Sequence, residues 1–333
     1  MKSRQYLLER RPEGEPTPDD FRFAETELPA LADGQVLVEN RFVSLDPAMR
    51  GWMSERPSYV PPVELGAVMR ALTAGTVLES KADGFAEGDA VTGTLGVQSH
   101  GIAAGDALRK VDTSIAPLER YLGVLGMTSM TAYFGLLETG EPKAGDTVLV
   151  SAAAGAVGST VGQIAKIEGC TVVGIAGGRV KCDYLTGELG IDSAIDYRSE
   201  DVGERLRELA PDGVDVYFDN VGGEILDAAL ANLAMRARVV ICGAISQYNN
   251  TGPVRGPSNY LALLTRRARM EGILVSDNAD RFGEAAKRMA GWIDAGKLRG
   301  REDVVPGLER FPETFMRLFS GDNDGKLMIG VEH

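Results

Sequence analysis

The sequence predicts an α/β protein: a doubly wound parallel sheet flanked by helices, preceded by a mainly β region. Three observations carry that expectation. From about residue 121, apolar strand-like runs alternate with helical patterns. The first of those runs, VLV at 148–150, passes through an Ala/Gly turn into a helical pattern, SAAAGAVGSTVGQIAK at 151–166. Before residue 121 the rhythm is instead one of short strands broken by turns.

In chain order, QVLVENRFVSLDP and AVMRALTAGTVLES are β-rich, and FAEGDAVTGTLG carries an EGD turn into a further strand. Six candidate strands follow in the second region, at 146–152, 170–176, 193–198, 213–219, 237–246 and 269–276. Helical patterns fall between most of them, and the one after the first strand places Val157, Val161, Ile164 and Ala165 on one face. Such alternation predicts parallel strands with helices on both faces, the arrangement of a Rossmann-type dinucleotide domain. A helical stretch at 281–297 closes this region. A strand, a helix and a final strand ending GKLMIGV then read as a return to the first domain. The expected domains are 1–122 for the β domain, 123–297 for the dinucleotide domain and 298–333 for the return.

The totals exclude several classes. A net charge of −13 opposes nucleic acid or an anionic membrane as a partner. No apolar run reaches the roughly 18 residues of a membrane helix. The N-terminal MKSRQYLLERRPEGEPTPDD has no apolar core of a secretory signal, so a cytoplasmic location is expected. Cys170, Cys182 and Cys242 are isolated, which suits a reducing compartment and structural thiols. Only His100 and His333 join them, too few to supply a clustered tetrahedral zinc site, so no metal is expected.

The turn at 151–158 poses a narrower question, because Ala153 stands where a G-x-G-x-x-G pattern has its first Gly. A small residue serves there if the turn needs no positive φ. Gly155 lets backbone approach a diphosphate, Gly158 lets the helix pack closely, and the helix N-terminus faces the anion. Taken alone this is a weak pattern, equally a tight strand-to-helix turn; the six-strand rhythm around it favours the nucleotide. An NAD site has an acid about 20 residues on, at the end of the second strand. Here that strand ends GIAGGRVK, with room at Gly177 and Gly178 and positive charge at Arg179 and Lys181. This favours the 2′-phosphate of NADP over a merely solvated helix start, since a basic first turn opposes the helix dipole.

These residues, with SLDPAMRGWM (44–53), ELGAVMRALTAGTVLES (64–80), LGMTSMTAYFGLLETGEPKAGDTVLVSAAAGAVGSTVGQIAK (125–166), IDYR (195–198), FDNVGG (218–223), ICGAISQYNNTGP (241–253), RMEG (269–272) and GDNDGK (321–326), span nearly the whole chain. In that order they resemble the zinc-independent medium-chain dehydrogenase/reductases. The resemblance is nearer still to the alkenal/one reductases: prostaglandin reductase (leukotriene B4 dehydrogenase), plant double-bond reductases and bacterial curcumin reductase.

The resemblance implies a GroES-like mainly β substrate domain, a Rossmann NADP domain, and a cleft between them for nicotinamide and substrate. It implies that Ala154, Gly155, Ala156 and Val157 line the diphosphate turn, and that Gly178, Lys181 and Tyr197 hold the 2′-phosphate, with Arg179 beside them. Asn220, Cys242, Gly243, Ala244 and Ile245 would pass the nicotinamide ribose, Met127 and Thr131 would flank the nicotinamide, and Asn323 would reach the cofactor from the tail. Three departures bear on substrate range: Ala48 where DPYMR is common, GVQSHGIAAGD around His100, and Thr265 where some relatives carry Tyr. His100 is expected to be an exposed loop residue without a role.

The activity implied is reduction of an activated C=C bond: hydride from NADPH to the β-carbon of an enal or enone, then protonation of the enolate. Without zinc, hydroxyls or backbone amides must stabilise the oxygen. Tyr248 and Tyr59 are the catalytic candidates, Tyr248 being counted among the cofactor-binding residues too, and Tyr59, Arg50 and Tyr260 the substrate-side ones. Each has a packing alternative, and Arg50 with Asp46 equally suits a buried ion pair. The rival readings are an NADPH quinone oxidoreductase and a non-catalytic NADP(H) sensor. The branch commonly dimerises through the edge of its nucleotide sheet, which points here to the strand at 269–276.

Overall fold

The computed structural model describes residues 1–332, so His333 lies outside the described residues. Two compact units divide the chain: Met1–Leu122 with the segment from Glu302 onward, and Gly123–Arg301.

The first unit opens with an antiparallel ribbon of β1 (Lys2–Leu8) and β2 (Phe21–Glu27). The long β3 (Gln35–Ser44) follows, then the short helix α1 (Ala48–Trp52), β4 (Thr73–Ser80), β5 (Ala90–Gly93), β6 (His100–Ala104) and β7 (Leu108–Lys110). Val36 and Val38 of β3 pack with Val77 and Val91 into a buried core. The first six residues of AVMRALTAGTVLES lie outside β4. They meet β1 instead, through Leu8 N to Ala67 O at 3.0 Å and Met69 N to Tyr6 O at 2.8 Å. His100 is not in a loop. It opens β6, which pairs antiparallel with β3, and its half-buried ring places Nδ1 3.0 Å from Ser99 Oγ. Strand pairing, invisible in an unusual local sequence, accounts for the difference.

The second unit alternates helix and strand: α2 (Met127–Phe134), β8 (Thr147–Val150), α3 (Ala156–Ile167), β9 (Thr171–Ala176), α4 (Arg179–Gly187), β10 (Ser193–Asp196), α5 (Val202–Leu209), β11 (Val214–Asp219), α6 (Gly223–Ala231), β12 (Leu233–Ile241), α7 (Ala262–Arg266), β13 (Arg269–Gly272) and α8 (Phe282–Asp294). Its six strands are parallel, in the order β10-β9-β8-β11-β12-β13. This is the doubly wound order, with its topological switch between β8 and β11, outside whose carboxyl ends such sheets bind ligands. All six expected strands are present; the third stops at Asp196 and the sixth at Gly272, short of their runs, and the fifth begins earlier and ends earlier than its apolar run suggests. Residues 242–246 leave the sheet as a loop.

Helix α3 departs from the single apolar face read in its sequence. Val161, Ile164 and Ala165 are buried, but so is every residue from Gly158 to Ala165, while Val157 is half-buried. The helix is enclosed on several sides. Gly162 permits this, since a Cβ there would stand 2.8 Å from Ile191 Cδ1. Residues 298–301 belong with this unit rather than with the return segment. Leu298 is buried, Arg299 exchanges backbone bonds with the Gln163 side chain at 2.9 and 3.0 Å, and the Arg301 guanidinium lies 4.7 Å over the Tyr184 ring.

The chain then re-enters the first unit as β14 (Glu302–Pro306), α9 (Phe311–Ser320) and β15 (Lys326–Gly330). β15 lies parallel to β14 and antiparallel to β3, giving the order β14-β15-β3-β4-β5-β7. Phe311 and Phe315 of α9 pack on Tyr6 and Phe21 in the largest core of this unit. Buried Lys326 fixes the strand, donating to Leu45 O at 3.0 Å and pairing with Asp46 Oδ1 at 2.6 Å. Asp46 therefore pairs with Lys326 and not with Arg50.

Candidate dinucleotide site

The strand-to-helix turn resolves the missing first glycine. Ala153 has no positive φ; the positive value falls one residue earlier, on Ala152 at +48°. The slot usually held by Gly needs only a small buried residue, and Ala153 fills it, its N–H donating to Ile175 O of β9 at 2.9 Å. The third glycine has a steric cause. A Cβ on Gly158 would lie 2.3 Å from Ala152 O and 2.8 Å from Ala153 Cα, both backbone atoms that cannot step aside. Gly155 is the N-cap of α3 and has no side chain to cap it, so the first amides of the helix, at Ala156 and Val157, are left to an anion. Ala154 is buried beneath them.

At the end of β9, Gly178 takes φ +92°, a conformation suited to glycine, and donates its N–H to Asp196 Oδ1 at 2.7 Å. Asp196 also accepts from Arg198 N and Ser199 Oγ, each at 3.0 Å. The Gly178 amide is the main reason its carboxyl titrates below the ordinary value. Tyr197 and Arg198 lie over Gly177: a Cβ there would stand 2.9 Å from the Tyr197 ring and 3.0 Å from Arg198 Nε. Arg179 points outward, its side chain 91% exposed, 3.5 Å from Asp183 one turn on. Lys181 is half-buried in the first turn of α4.

Across the switch point, the ends of β8, β11 and β12 are knitted together. Asn220 N donates to Ser151 Oγ at 2.9 Å and Asn220 Nδ2 to Ser151 O at 2.7 Å. Buried Asp219 holds the same region: its Oδ1 accepts from Tyr217 OH at 2.7 Å, from Val221 N and Gly222 N at 2.9 Å, and from Ser151 Oγ at 3.1 Å. Its backbone oxygen accepts from Cys242 N at 2.9 Å and Gly243 N at 3.1 Å. Burial, with the Asp219 charge beside it, pushes the Cys242 thiol up to about 12. Asn220 O in turn accepts from Ile245 N at 3.2 Å. Tyr248 closes the cluster, its hydroxyl accepting from Ala244 N at 3.3 Å and lying against Gly243, where a Cβ would be 2.9 Å away.

The structure thus brings together Asn220, Cys242, Gly243, Ala244, Ile245 and Tyr248 at the carboxyl ends of β11 and β12. It gathers Gly178, Lys181 and Tyr197 at the end of β9. Met127 and Thr131 share the first turns of α2; Met127 is partly exposed and Thr131 Oγ1 donates to Met127 O at 2.9 Å. Tyr260 is 57% exposed on the way into α7. Within the first unit, Tyr59 is 58% exposed, and Asn323 Nδ2 donates to Gly325 O at 2.9 Å. Arg50, expected on the substrate side, is buried. It donates to Gly14 O at 2.9 and 3.2 Å and to Pro12 O at 3.2 Å, and so holds the 12–14 loop. Sequence reasoning missed Ser151, Asp219 and Arg198. An acid closing the apolar run VYFD was the available signal for Asp219. Among the described residues, no three His, Cys, Asp or Glu side chains cluster as a metal site would require.

Residues 4–111 match the family model described as the N-terminal domain of oxidoreductase, and residues 156–291 the one described as zinc-binding dehydrogenase. The chain is 50% identical to the putative NADP-dependent oxidoreductase YfmJ of Bacillus subtilis, over 98% of this chain and 97% of that protein. It is 43% identical to a 2-alkenal reductase (NADP(+)-dependent) of Nicotiana tabacum, over 89% of this chain and 87% of that one. The crystal structure of CurA from Vibrio vulnificus in complex with NADPH superposes with a TM-score of 0.94 at 40% identity, covering 99% of both chains.

Proposed function

The chain belongs to the zinc-independent medium-chain dehydrogenase/reductases, in their alkenal/one reductase branch, and from that premise we propose that it reduces the activated C=C bond of enals and enones. It is an NADP-dependent oxidoreductase, and its cofactor is NADPH. The observation that carries the cofactor is the end of β9, where two glycines, Lys181 and Tyr197 stand in place of an acid. When bound, the nicotinamide supplies a hydride. The α3 amides of Ala156 and Val157 hold the diphosphate, the Gly177–Gly178 turn admits the 2′-phosphate, and the Asn220 and 242–245 loops position the ribose. The Met127–Thr131 turn is assigned the nicotinamide contact. Tyr248 carries a proton on a hydroxyl that accepts from an amide, which strengthens it as a donor to the carbonyl oxygen that gains charge. Tyr260 supplies an exposed phenol face for the substrate side.

Loss of nicotinamide absorbance with 2-nonenal, 3-nonen-2-one, curcumin, a para-quinone and a saturated ketone, each with NADPH and NADH, tests this reading. Turnover of the enones with NADPH is expected. Preference for the quinone moves the protein to quinone reduction, and tight NADPH binding without turnover moves it to a sensor. Tyr248→Phe is expected to lower kcat by about 10- to 100-fold, a larger effect than on NADPH affinity, which should weaken only as far as the 242–245 loop loses the hydroxyl that accepts from Ala244 N.

We place the enzyme in the cytoplasm, on its three free thiols. No helix among the described residues is long and apolar enough to cross a membrane. We propose further that two copies associate through β13. This is the edge strand of the parallel sheet, all four of its residues are exposed, and Leu261 and Leu264, a few residues before it in the chain, are 57% and 74% exposed.

A further inference from the structure

We propose that Arg198 is a second cation, with Lys181, that selects the 2′-phosphate. The inference rests on the NADPH reading above and names a residue within it. Arg179 was the obvious arginine in the sequence, because it immediately follows the two glycines. The structure turns it away: the side chain is almost fully exposed and stands 3.5 Å from Asp183, which offsets its charge.

Arg198 arrives from a different strand. β10 runs parallel to β9 with Asp196 opposite Ala176, so the residues just past β10 overhang the end of β9. Tyr197 N donates to Ala176 O at 3.2 Å, which fixes that overhang. The Arg198 backbone is tied by its own amide to Asp196 Oδ1, the carboxylate that holds Gly178. Its Nε then lies 3.0 Å from the position of a Cβ on Gly177. Arg198 and Tyr197 therefore cover Gly177 from the β10 side, with Lys181 in the first turn of α4.

With Asp196 and Asp183 both close to the turn, the local charges favour a second cation beside Lys181. Asp196 sits directly under the turn with its charge intact, and Asp183 offsets Arg179. A dianionic phosphate entering there needs positive charge beyond Lys181. A guanidinium also offers a planar fork that can meet two phosphate oxygens, which an ammonium cannot. The Tyr197 ring beside it gives the adenine end a flat apolar wall. The expected specificity is for a nucleotide bearing phosphate on the adenosine 2′ oxygen.

Calorimetric titration of the full chain with 2′,5′-ADP, and with ADP lacking the 2′-phosphate, reads this directly without turnover. The parent is expected to prefer 2′,5′-ADP. Arg198→Ala is expected to weaken 2′,5′-ADP by about 10- to 100-fold with ADP affinity unchanged. Arg198→Lys should fall between the two, and Arg179→Ala should lose less than Arg198→Ala. Arg198 is exposed, so an unchanged Tm confirms that the variants fold. If the parent prefers 2′,5′-ADP and Arg198→Ala keeps that preference, the Arg198 assignment is overturned and the NADPH reading stands. If the parent shows no preference, the NADPH reading itself fails, and the assignment with it.

Discussion

Ala152 shows how much of a motif lies in its backbone rather than in its letters. An L-residue at φ +48° carries a cost of about 1 to 2 kcal/mol that glycine avoids, against about 0.5 to 1 kcal/mol of extra chain entropy that glycine loses. Ala152→Gly is therefore expected to raise stability by up to about 1 kcal/mol in denaturant titration. Gly158→Ala should do the reverse, costing about 1 to 3 kcal/mol and weakening NADPH, because its methyl meets the Ala152 carbonyl. The departure at Ala153 was legible; the residue that bears the positive φ was not, since nothing in three consecutive alanines distinguishes one from the next. The thiols are a second matter of single residues. Burial pushes Cys170 and Cys182 up to about 11 and Cys242 to about 12, so each stays protonated at neutral pH. Iodoacetamide should label the native protein slowly and the urea-unfolded protein quickly, read by intact mass; rapid labelling of the native form would contradict this.

At the scale of elements, the six parallel strands were legible because each is an apolar run bounded by turns. What joins them at their carboxyl ends was not, because those bonds run between segments far apart in the chain. Asp219 is the clearest case. Asp219→Ala would leave a buried tyrosine hydroxyl, a serine hydroxyl and two amides without their acceptor, and is expected to cost about 3 to 5 kcal/mol. Asp219→Asn keeps the accepting oxygen and should cost less than half of that. The turn after β10 adds a pH dependence. Asp196 titrates below its ordinary value when folded, so its contribution is complete above about pH 4 and is lost as pH falls through the lowered value. Denaturant midpoints followed downward in pH should fall more steeply for the parent than for Asp196→Asn. In the first unit, Lys326→Met would leave Asp46 without its cation and should loosen β15, seen as faster amide exchange along that strand.

For the whole molecule, the exposed edge at β13 sets the terms of self-association. Antiparallel pairing of β13 about Met270 would set Arg269 opposite Glu271 of the partner subunit, and the reverse, so the edge is complementary to itself. Glu271→Arg should therefore weaken the dimer in sedimentation equilibrium. Combining it with Arg269→Glu should restore it, and a monomeric parent would dismiss the interface. The two-unit organisation was legible as a change from strands alone to strands alternating with helices. The position of its last boundary was not, because the bonds of Arg299 to Gln163 span 136 residues.

The first unit is built from both ends of the sequence, and this has a consequence for synthesis. β15 sits between β14 and β3, and Lys326 is tied to an aspartate 280 residues earlier. On the ribosome the opening β segments must wait, with the Phe42–Ser44 end of β3 lacking its partner on one side, until β15 has been made. The second unit has all its strands in hand well before then. The nascent protein should mature from its middle outward, and a premature stop that removes only the last strand would cripple the domain made first.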